Sequence, residues 1–302
     1  EIGTHHEEQH QELMLTDALA AFSMNPLGPS IRSTPHASTS TSTSTSTSTS
    51  TSTSSRAIEA TRFVEHAGGV VDVGHAGGAF AFDNESPRHR VFLAPYSIAD
   101  RLVTVGEAKA FVRDGGYRTP SLWLSAGFAW AQANRIEAPA YVDVRDDNEW
   151  RGFGVDGWRT LHDDEPAAFL SFYEADAIAR FLGARLPTEF EWEHAARTVV
   201  GDGAFVDGNV FVDAASALRP LPASSTGSTG STGSSAIAQW AGDVWEWTRS
   251  AYEPYPGFKT ASGALGEYNG KFMIGQQVLR GGSAFTPVGH ARATYRNFWP
   301  PE

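Results

Sequence analysis

The sequence predicts an α+β protein with few long helices and much ordered loop. Outside two low-complexity tracts, glycine is frequent, aromatic residues are scattered, and apolar runs are short and bounded by Gly, Pro or Asn. The runs at 91–93 and 278–279 are examples. With 302 residues, 41% of them hydrophobic, the chain can build one large core or two smaller ones.

The first 24 residues predict a helix. Good helix formers predominate, and the residues that share one face at i, i+3 and i+4 spacing are Ile2, His6, Gln9, His10 and Leu13. Pro26 ends the helix because proline cannot continue it and restricts the residue before it. The chain starts inside this pattern with a residue other than Met, so we expect the N-terminus to be a cut or processed end.

Capping signals predict three more helices. Thr104 and Glu107 have the spacing of a capping box that opens a helix to about Val112. Residues 171–182 carry an apolar stripe that ends at a glycine, and a further helix begins with Thr188 as its cap. We expect the first two of these helices to serve packing.

Two low-complexity tracts divide the chain. Residues 38–55 alternate Ser and Thr, and residues 224–235 repeat Ser, Thr and Gly. Such tracts cannot bury enough apolar area to offset chain entropy, so they predict a disordered linker and a flexible loop. The predicted units are a helical segment at 1–37 and a second domain at 56–302 that contains the loop.

Charge and composition exclude several classes of protein. The net charge of -12 argues against a nucleic-acid partner, which requires a basic face. The absence of cysteine rules out disulfides, thiolate metal sites and a cysteine nucleophile. No apolar run approaches the ~20 residues that cross a bilayer, and no signal peptide opens the chain. We therefore expect a cytoplasmic protein without a membrane partner, and leave its oligomeric state open.

The sharpest local signal is the run His6-Glu7-Glu8-Gln9-His10. Two histidines four apart on a helix point the same way, so both imidazoles can reach one metal ion. A polar surface helix that happens to hold two histidines explains the spacing equally well. The run also satisfies the HExxH pattern of zinc proteases. Its polar neighbours and the lack of a third ligand at a useful distance argue against that class.

Several stretches together resemble one enzyme family. HHEEQHQELMLTDAL resembles the metal-binding helix of ergothioneine-biosynthesis iron(II)-dependent sulfoxide synthases, whose first domain is a DinB-like four-helix bundle. RLPTEFEWE, GDVWEWT and RGGS are typical of their second domain, which has the C-type-lectin-like fold of the formylglycine-generating (sulfatase-modifying-factor) family. The whole resemblance runs over 84–130, 183–197, 241–258 and 278–302. It implies the remnant of a DinB-like bundle followed by a lectin-like domain with many irregular loops.

The resemblance also implies an iron site. In that family Fe(II) is held by three histidines, of which two map to His6 and His10. The third lies on an earlier helix, upstream of residue 1. His5 is no substitute, because its side chain points about 100° away around the helix.

Three residues match the family's substrate contacts. Gln9 corresponds to the glutamine that helps to hold the imidazole, and Asn297 to the asparagine that contacts the trimethylammonium-bearing substrate. Phe298 corresponds to an aromatic neighbour of that cation, a suitable partner since the cation cannot donate ordinary hydrogen bonds. Without the resemblance, Asn297 is better explained as a turn residue before Trp299-Pro300-Pro301, and core packing explains Phe298 as well as a substrate contact does.

The catalytic residue stays unassigned. The family has a tyrosine that supplies a proton in the sulfur-transfer step, and Tyr252, Tyr255 and Tyr268 lie in the corresponding loop. None aligns cleanly, and each is also explained as an amphipathic loop residue with its hydroxyl in water.

Glu246 stands between two tryptophans that we expect to fill the core, Trp245 and Trp247. In the lectin-like fold an equivalent glutamate can bind a structural calcium, which prefers oxygen ligands. An ion pair with Arg280 or Arg292 explains Glu246 equally well.

The implied activity is that of a non-haem Fe(II) enzyme that uses O2. It joins imidazole C2 of hercynine (Nα-trimethylhistidine) to the sulfur of cysteine or γ-glutamylcysteine and oxidises that sulfur to the sulfoxide. A close variant is the ovothiol-type 5-histidylcysteine sulfoxide synthase, and a non-catalytic lectin-like binding module is the alternative from another class. A formylglycine-generating oxidase is excluded, because it needs a cysteine pair near RGGS and this chain has no cysteine.

Overall fold

The computed structural model describes residues 1–32, 60–146, 149–200, 208–213, 215–223, 237–263, 266 and 268–302. The helices are α1 (Ile2–Ser23), α2 (Val105–Arg113), α3 (Ser125–Asn134), α4 (Phe172–Phe181) and α5 (Glu189–Val200). The strands are β1 (Phe63–His66), β2 (Gly69–Val73), β3 (His89–Leu93), β4 (Tyr96–Ala99), β5 (Val142–Val144), β6 (Trp150–Gly154), β7 (Gly157–Thr160), β8 (Glu246–Ala251), β9 (Gln277–Arg280) and β10 (Asn297–Trp299). The predicted linker at 38–55 and loop at 224–235 lie outside the described residues.

The helices confirm the capping predictions. Thr104 Oγ1 accepts a hydrogen bond from the Glu107 backbone N–H at 3.3 Å, and Thr188 Oγ1 accepts one from Glu191 at 3.1 Å. Helix α3 was not predicted, because it begins after Leu124, which offers no capping oxygen. Among the described residues, no helix combines the length and the apolar character that crossing a bilayer requires.

The described strands form small antiparallel sheets. Strand β1 pairs with β4, β2 with β3, β5 with β6 and β7, and β9 lies between β8 and β10. Helices α2 and α4 bury Phe111 and Ile178 in one apolar cluster with Trp150 of β6. In a second cluster, Trp192 of α5 packs edge-on against Trp240, with ring centroids 5.3 Å apart. The core is thus built from several short elements, as expected for the α+β class.

A buried ionic network joins α5 to the C-terminal strands. Glu189 Oε2 accepts hydrogen bonds from Arg280 Nη2 at 2.9 Å and Arg296 Nε at 2.8 Å. Glu193 Oε2 accepts a further bond from Arg280 at 3.1 Å. Burial by itself raises the pKa of Glu189, but the two guanidinium charges hold the pKa below its ordinary value. Removing one partner would leave a buried charge uncompensated, so this network fixes β9 and β10 against α5.

The two arginines considered as partners of Glu246 bind other carboxylates. Arg280 binds Glu189 and Glu193, and Arg292 binds Glu85 at 2.5 Å. Glu246 Oε1 instead accepts the indole N–H of Trp192 at 3.0 Å.

Calcium at Glu246 gains no support from these contacts. A calcium ion takes about six to eight oxygen ligands. Within the described part of the chain, Glu246 belongs to no group of three or more acidic or histidine side chains that converge on one point.

The tryptophans beside Glu246 are half-buried and do not fill the core as predicted. Both line a cavity of about 1030 Å³. The indole N–H of Trp245 donates to Glu12 Oε1 at 2.7 Å, and that of Trp247 donates to the Leu170 carbonyl oxygen at 2.8 Å. Each tryptophan therefore uses its polar edge as well as its apolar face.

Candidate active site

Helix α1 brings the two predicted metal ligands together. The Nε2 atoms of His6 and His10 lie 2.8 Å apart, and both side chains are exposed. For metal–nitrogen bonds of about 2.1 Å, this separation corresponds to an angle of roughly 80–90° at the metal. The pair can therefore supply two neighbouring ligands to one ion.

Tyr268 and Gln9 fix the orientation of His6. The Tyr268 hydroxyl donates its hydrogen to Gln9 Oε1, so its oxygen must accept from His6 Nδ1, which lies 2.7 Å away. The His6 proton is thus on Nδ1, and the lone pair of Nε2 faces His10. At its other end, Gln9 Nε2 donates to the Tyr295 hydroxyl at 2.5 Å. Gln9 is held from both sides.

The structure separates the three candidate tyrosines. Tyr268 alone among them bonds to a predicted metal ligand within the described contacts. Tyr252 accepts a hydrogen bond from Asn84 Nδ2 at 2.8 Å, and Tyr255 is enclosed by the ionic network with its hydroxyl 3.0 Å from Arg280 Nη2. Burial, and secondarily the charge of Asp83, raises the pKa of Tyr268 to about 12. Tyr268 therefore keeps its proton at neutral pH and can donate it.

Asn297 and Phe298 lie at the start of β10, and both are half-buried. The Phe298 ring stacks on Tyr252, with centroids 4.0 Å apart and planes within 10°, and a second ring, Phe272, lies 5.8 Å away. Asn297 Oδ1 accepts the backbone N–H of Phe298 at 2.9 Å. Phe298 thus has the packing contacts that were the alternative to a substrate role, whereas the amide oxygen of Asn297 keeps a second lone pair that can face a cation.

One loop connects the Gln9 end to the β10 end. Phe82 stacks on Tyr268, with centroids 5.5 Å apart, and meets Tyr295 edge-on at 5.6 Å. Two residues later, Asn84 Nδ2 bonds to the Tyr252 hydroxyl and, at 3.2 Å, to the Arg296 carbonyl oxygen. A row of direct contacts therefore leads from the partners of Gln9 to the residue before Asn297.

Glu12 attaches the other side of α1 to the segments before β8 and after β9. Its carboxylate accepts the Trp245 indole N–H at 2.7 Å, the Ser283 hydroxyl at 2.6 Å and the Thr286 hydroxyl at 2.8 Å. Burial raises the pKa of Glu12 above its ordinary value, although all three bonds oppose the shift. No sequence motif predicts a role for Glu12. Its signal is the 5, 8, 12 spacing of polar residues on a helix face turned away from His6 and His10.

Comparisons with known proteins cover most of the chain. Residues 47–302 match the sulfatase-modifying factor enzyme 1-like domain. The hercynine oxygenase of Mycolicibacterium thermoresistibile is 33% identical over 253 residues, covering 77% of this chain and 53% of that protein. The formylglycine-generating enzyme of Streptomyces coelicolor is 28% identical, covering 72% of this chain and 76% of that protein. This chain thus spans about half the length of the hercynine oxygenases that it matches.

A solved structure supports the same fold. PvdO from Pseudomonas aeruginosa superposes with a TM-score of 0.51 at 19% identity, covering 80% of this chain and 88% of that chain. At this level of identity the likeness concerns the fold alone.

Proposed function

This chain belongs to the sulfatase-modifying factor enzyme 1-like domain family, and from that premise we propose that it is an iron-dependent sulfoxide synthase acting on hercynine. The predicted sulfatase-modifying-factor fold is confirmed, and the DinB-like bundle stays a prediction. The observation that carries the proposal is the pair of Nε2 atoms 2.8 Å apart in a relative of proteins named hercynine oxygenase.

His6 and His10 would hold the Fe(II) ion, with the third histidine implied by the resemblance. Two imidazoles at a right angle suit an octahedral ion that keeps positions open for other ligands. Iron bound there would supply the oxidising chemistry with O2. Tyr268 supports the site, since its bond to His6 Nδ1 keeps the Nε2 lone pair on the metal side.

Gln9 would position the imidazole of hercynine. Gln9 lies between the two histidines on α1, and Tyr268 and Tyr295 hold its amide in one orientation. Tyr268 would also supply a proton to the reacting sulfur or to the imidazole, because its hydroxyl stays protonated at neutral pH and lies beside His6.

Asn297 would contact the cationic end of hercynine through its amide. The contacts from Tyr268 through Phe82 and Asn84 lead toward β10, which supports one substrate reaching both ends. Phe298 would shape this end chiefly by stacking on Tyr252.

The absence of cysteine counts against a formylglycine-generating activity. Near the RGGS segment the side chains are hydroxyls, and those of Ser283 and Thr286 are bonded to Glu12. The cysteine pair that this oxidation needs has no counterpart in the chain. The ovothiol-type 5-histidylcysteine synthase uses histidine in place of hercynine, so the turnover assay described below distinguishes the two activities.

The test is calorimetric titration of hercynine into the Fe(II)-loaded chain without oxygen. We expect saturable binding that Asn297→Ala weakens by roughly tenfold, about 1.4 kcal/mol. The matched control is Asn134→Ala, an exposed asparagine on α3. Wild-type hercynine affinity in Asn297→Ala would reject the substrate assignment.

Turnover assays then define the reaction. With O2 and either cysteine or γ-glutamylcysteine, mass spectrometry should detect the sulfoxide joined to hercynine. A product formed only from histidine would instead identify the ovothiol-type reaction, and no product with any pair would favour the lectin-like binding module.

A further inference from the structure

A second cluster of potential metal ligands lies where α1 meets the second domain. His5 and Glu8 come from α1, and His290 comes from the segment before β10. Glu8 Oε2 lies 2.9 Å from His5 Nδ1 and 2.7 Å from His290 Nδ1, and the two Nδ1 atoms are 3.2 Å apart. Within the described residues, this is the one group of three or more such side chains with converging ligand atoms.

The three ligand atoms have the spacing of one face of a coordination octahedron. For bonds of about 2.1 Å at right angles, neighbouring ligand atoms lie about 3.0 Å apart. The observed 2.7, 2.9 and 3.2 Å bracket that value. Two imidazoles and one carboxylate on a common face are a donor set that first-row divalent metals favour.

The surrounding side chains hold both imidazoles in place. His290 is only 1% exposed, and its Nε2 lies 3.2 Å from the Tyr295 hydroxyl. His5 stacks on Phe80, with ring centroids 4.0 Å apart and planes within 13°. A metal-binding imidazole is commonly fixed through its second nitrogen, and the Tyr295 hydroxyl provides that contact for His290.

Hydrogen bonds alone explain the triangle less well. If His5 and His290 both donated to Glu8 Oε2, two N–H groups would meet beside one oxygen, with their nitrogens 3.2 Å apart. A cation in the triangle removes that repulsion, because both nitrogens then present lone pairs and the carboxylate compensates the charge.

We propose that His5, Glu8 and His290 bind a divalent transition-metal ion that clasps α1 to the second domain. This site is separate from the His6 and His10 pair, since positions 5 and 6 of a helix point about 100° apart. The inference is independent of the proposed function, because it requires neither hercynine nor O2.

The test uses Co(II) as the probe in the 302-residue chain carrying His6→Ala and His10→Ala. We expect about one equivalent of Co(II) to bind, with visible d–d absorption. Adding His290→Ala or Glu8→Gln should weaken binding by at least about tenfold. The matched control is His162→Ala, an exposed histidine elsewhere, which should leave binding unchanged.

Glu8→Gln keeps the test valid if His290→Ala fails to fold, because Glu8 is partly exposed and glutamine has the same size. Circular dichroism checks the fold of each variant. Absence of Co(II) binding in the His6→Ala/His10→Ala chain would overturn the proposal. So would undiminished binding in folded Glu8→Gln protein.

Discussion

The two faces of helix α1 carry similar residues and have different surroundings. On one face, His6 and His10 are exposed, and their ring nitrogens meet each other. On the other, Glu8 and Glu12 bond to buried or half-buried side chains between β9 and β10. The neighbours thus decide what a polar helix residue does. The nitrogen atoms of His6 and His10 stay accessible to a ligand, whereas the carboxylates of Glu8 and Glu12 bond to other parts of the protein.

The largest expected effect comes from breaking the attached face. Glu12→Leu should lower the free energy of unfolding by roughly 2–4 kcal/mol, because Trp245, Ser283 and Thr286 lose their common acceptor. Urea unfolding and hydrogen exchange of the α1 amides measure this loss. Glu7→Leu is the control on the same helix, where the exposed side chain should contribute within about 0.5 kcal/mol. Equal losses in the two variants would mean that the two faces do not differ.

The next effect concerns the open face alone. In a Glu8→Gln background, which weakens the second cluster, Tyr268→Phe removes the partner of His6 Nδ1 and should weaken Co(II) binding at the His6 and His10 pair by roughly tenfold. Unfolding should change little, since the hydroxyl is the only group lost. Tyr141→Phe is the control, a half-buried tyrosine that packs edge-on against Phe169. If Tyr141→Phe weakens binding as much, the orienting role of Tyr268 is wrong.

A smaller effect distinguishes a packing role of Phe298 from a substrate contact. Phe298→Leu should cost about 1 kcal/mol of stability, because the stack on Tyr252 is lost. Hercynine affinity should stay within about threefold, well under the roughly tenfold loss expected for Asn297→Ala. A large loss of affinity with unchanged stability would restore the substrate-contact role that the sequence predicts.

The smallest effect is a pH dependence of the attached face. Burial raises the pKa of Glu12, so the folded chain keeps this proton to a higher pH than the unfolded chain. The stabilisation is complete below the unfolded pKa and is lost as pH rises through the folded one. The free energy of unfolding of the wild type minus that of Glu12→Gln should therefore fall as pH increases above about 4.5. A flat difference curve from pH 4 to 8 would contradict the shift.

The sequence predicts what is local. The caps at Thr104 and Thr188 and the histidine pair depend on residues three or four apart, so their spacing reveals them. Helix α3 escaped because Leu124 gives no capping signal. Spacing also singles out no tyrosine, and only folding brings Tyr268 to His6, 262 positions away.

Contacts between residues far apart in the sequence could not be predicted. The bond between Glu8 and His290 joins residues 282 positions apart, which no local pattern encodes. Arg280 had several glutamates to choose from, and α5 presents Glu189 and Glu193 to it one helical turn apart. Which carboxylate meets which guanidinium depends on packing geometry, so the sequence alone left the partner of Glu246 open.

The amide of Gln9 gives its row of hydrogen bonds a fixed direction. Its oxygen accepts from Tyr268 and its NH2 group donates to Tyr295, so the donor and the acceptor of each hydrogen bond from His6 to Tyr295 are fixed. Reversing one member would require turning the amide by half a rotation and moving each neighbouring proton with it. A carboxylate at position 9 has no such polarity, since both its ends accept. Exchange of Gln9 for Glu would therefore keep the acceptor that faces Tyr268, and with it the proton on His6 Nδ1, but the Tyr295 hydroxyl would have to donate a hydrogen bond where it now accepts one.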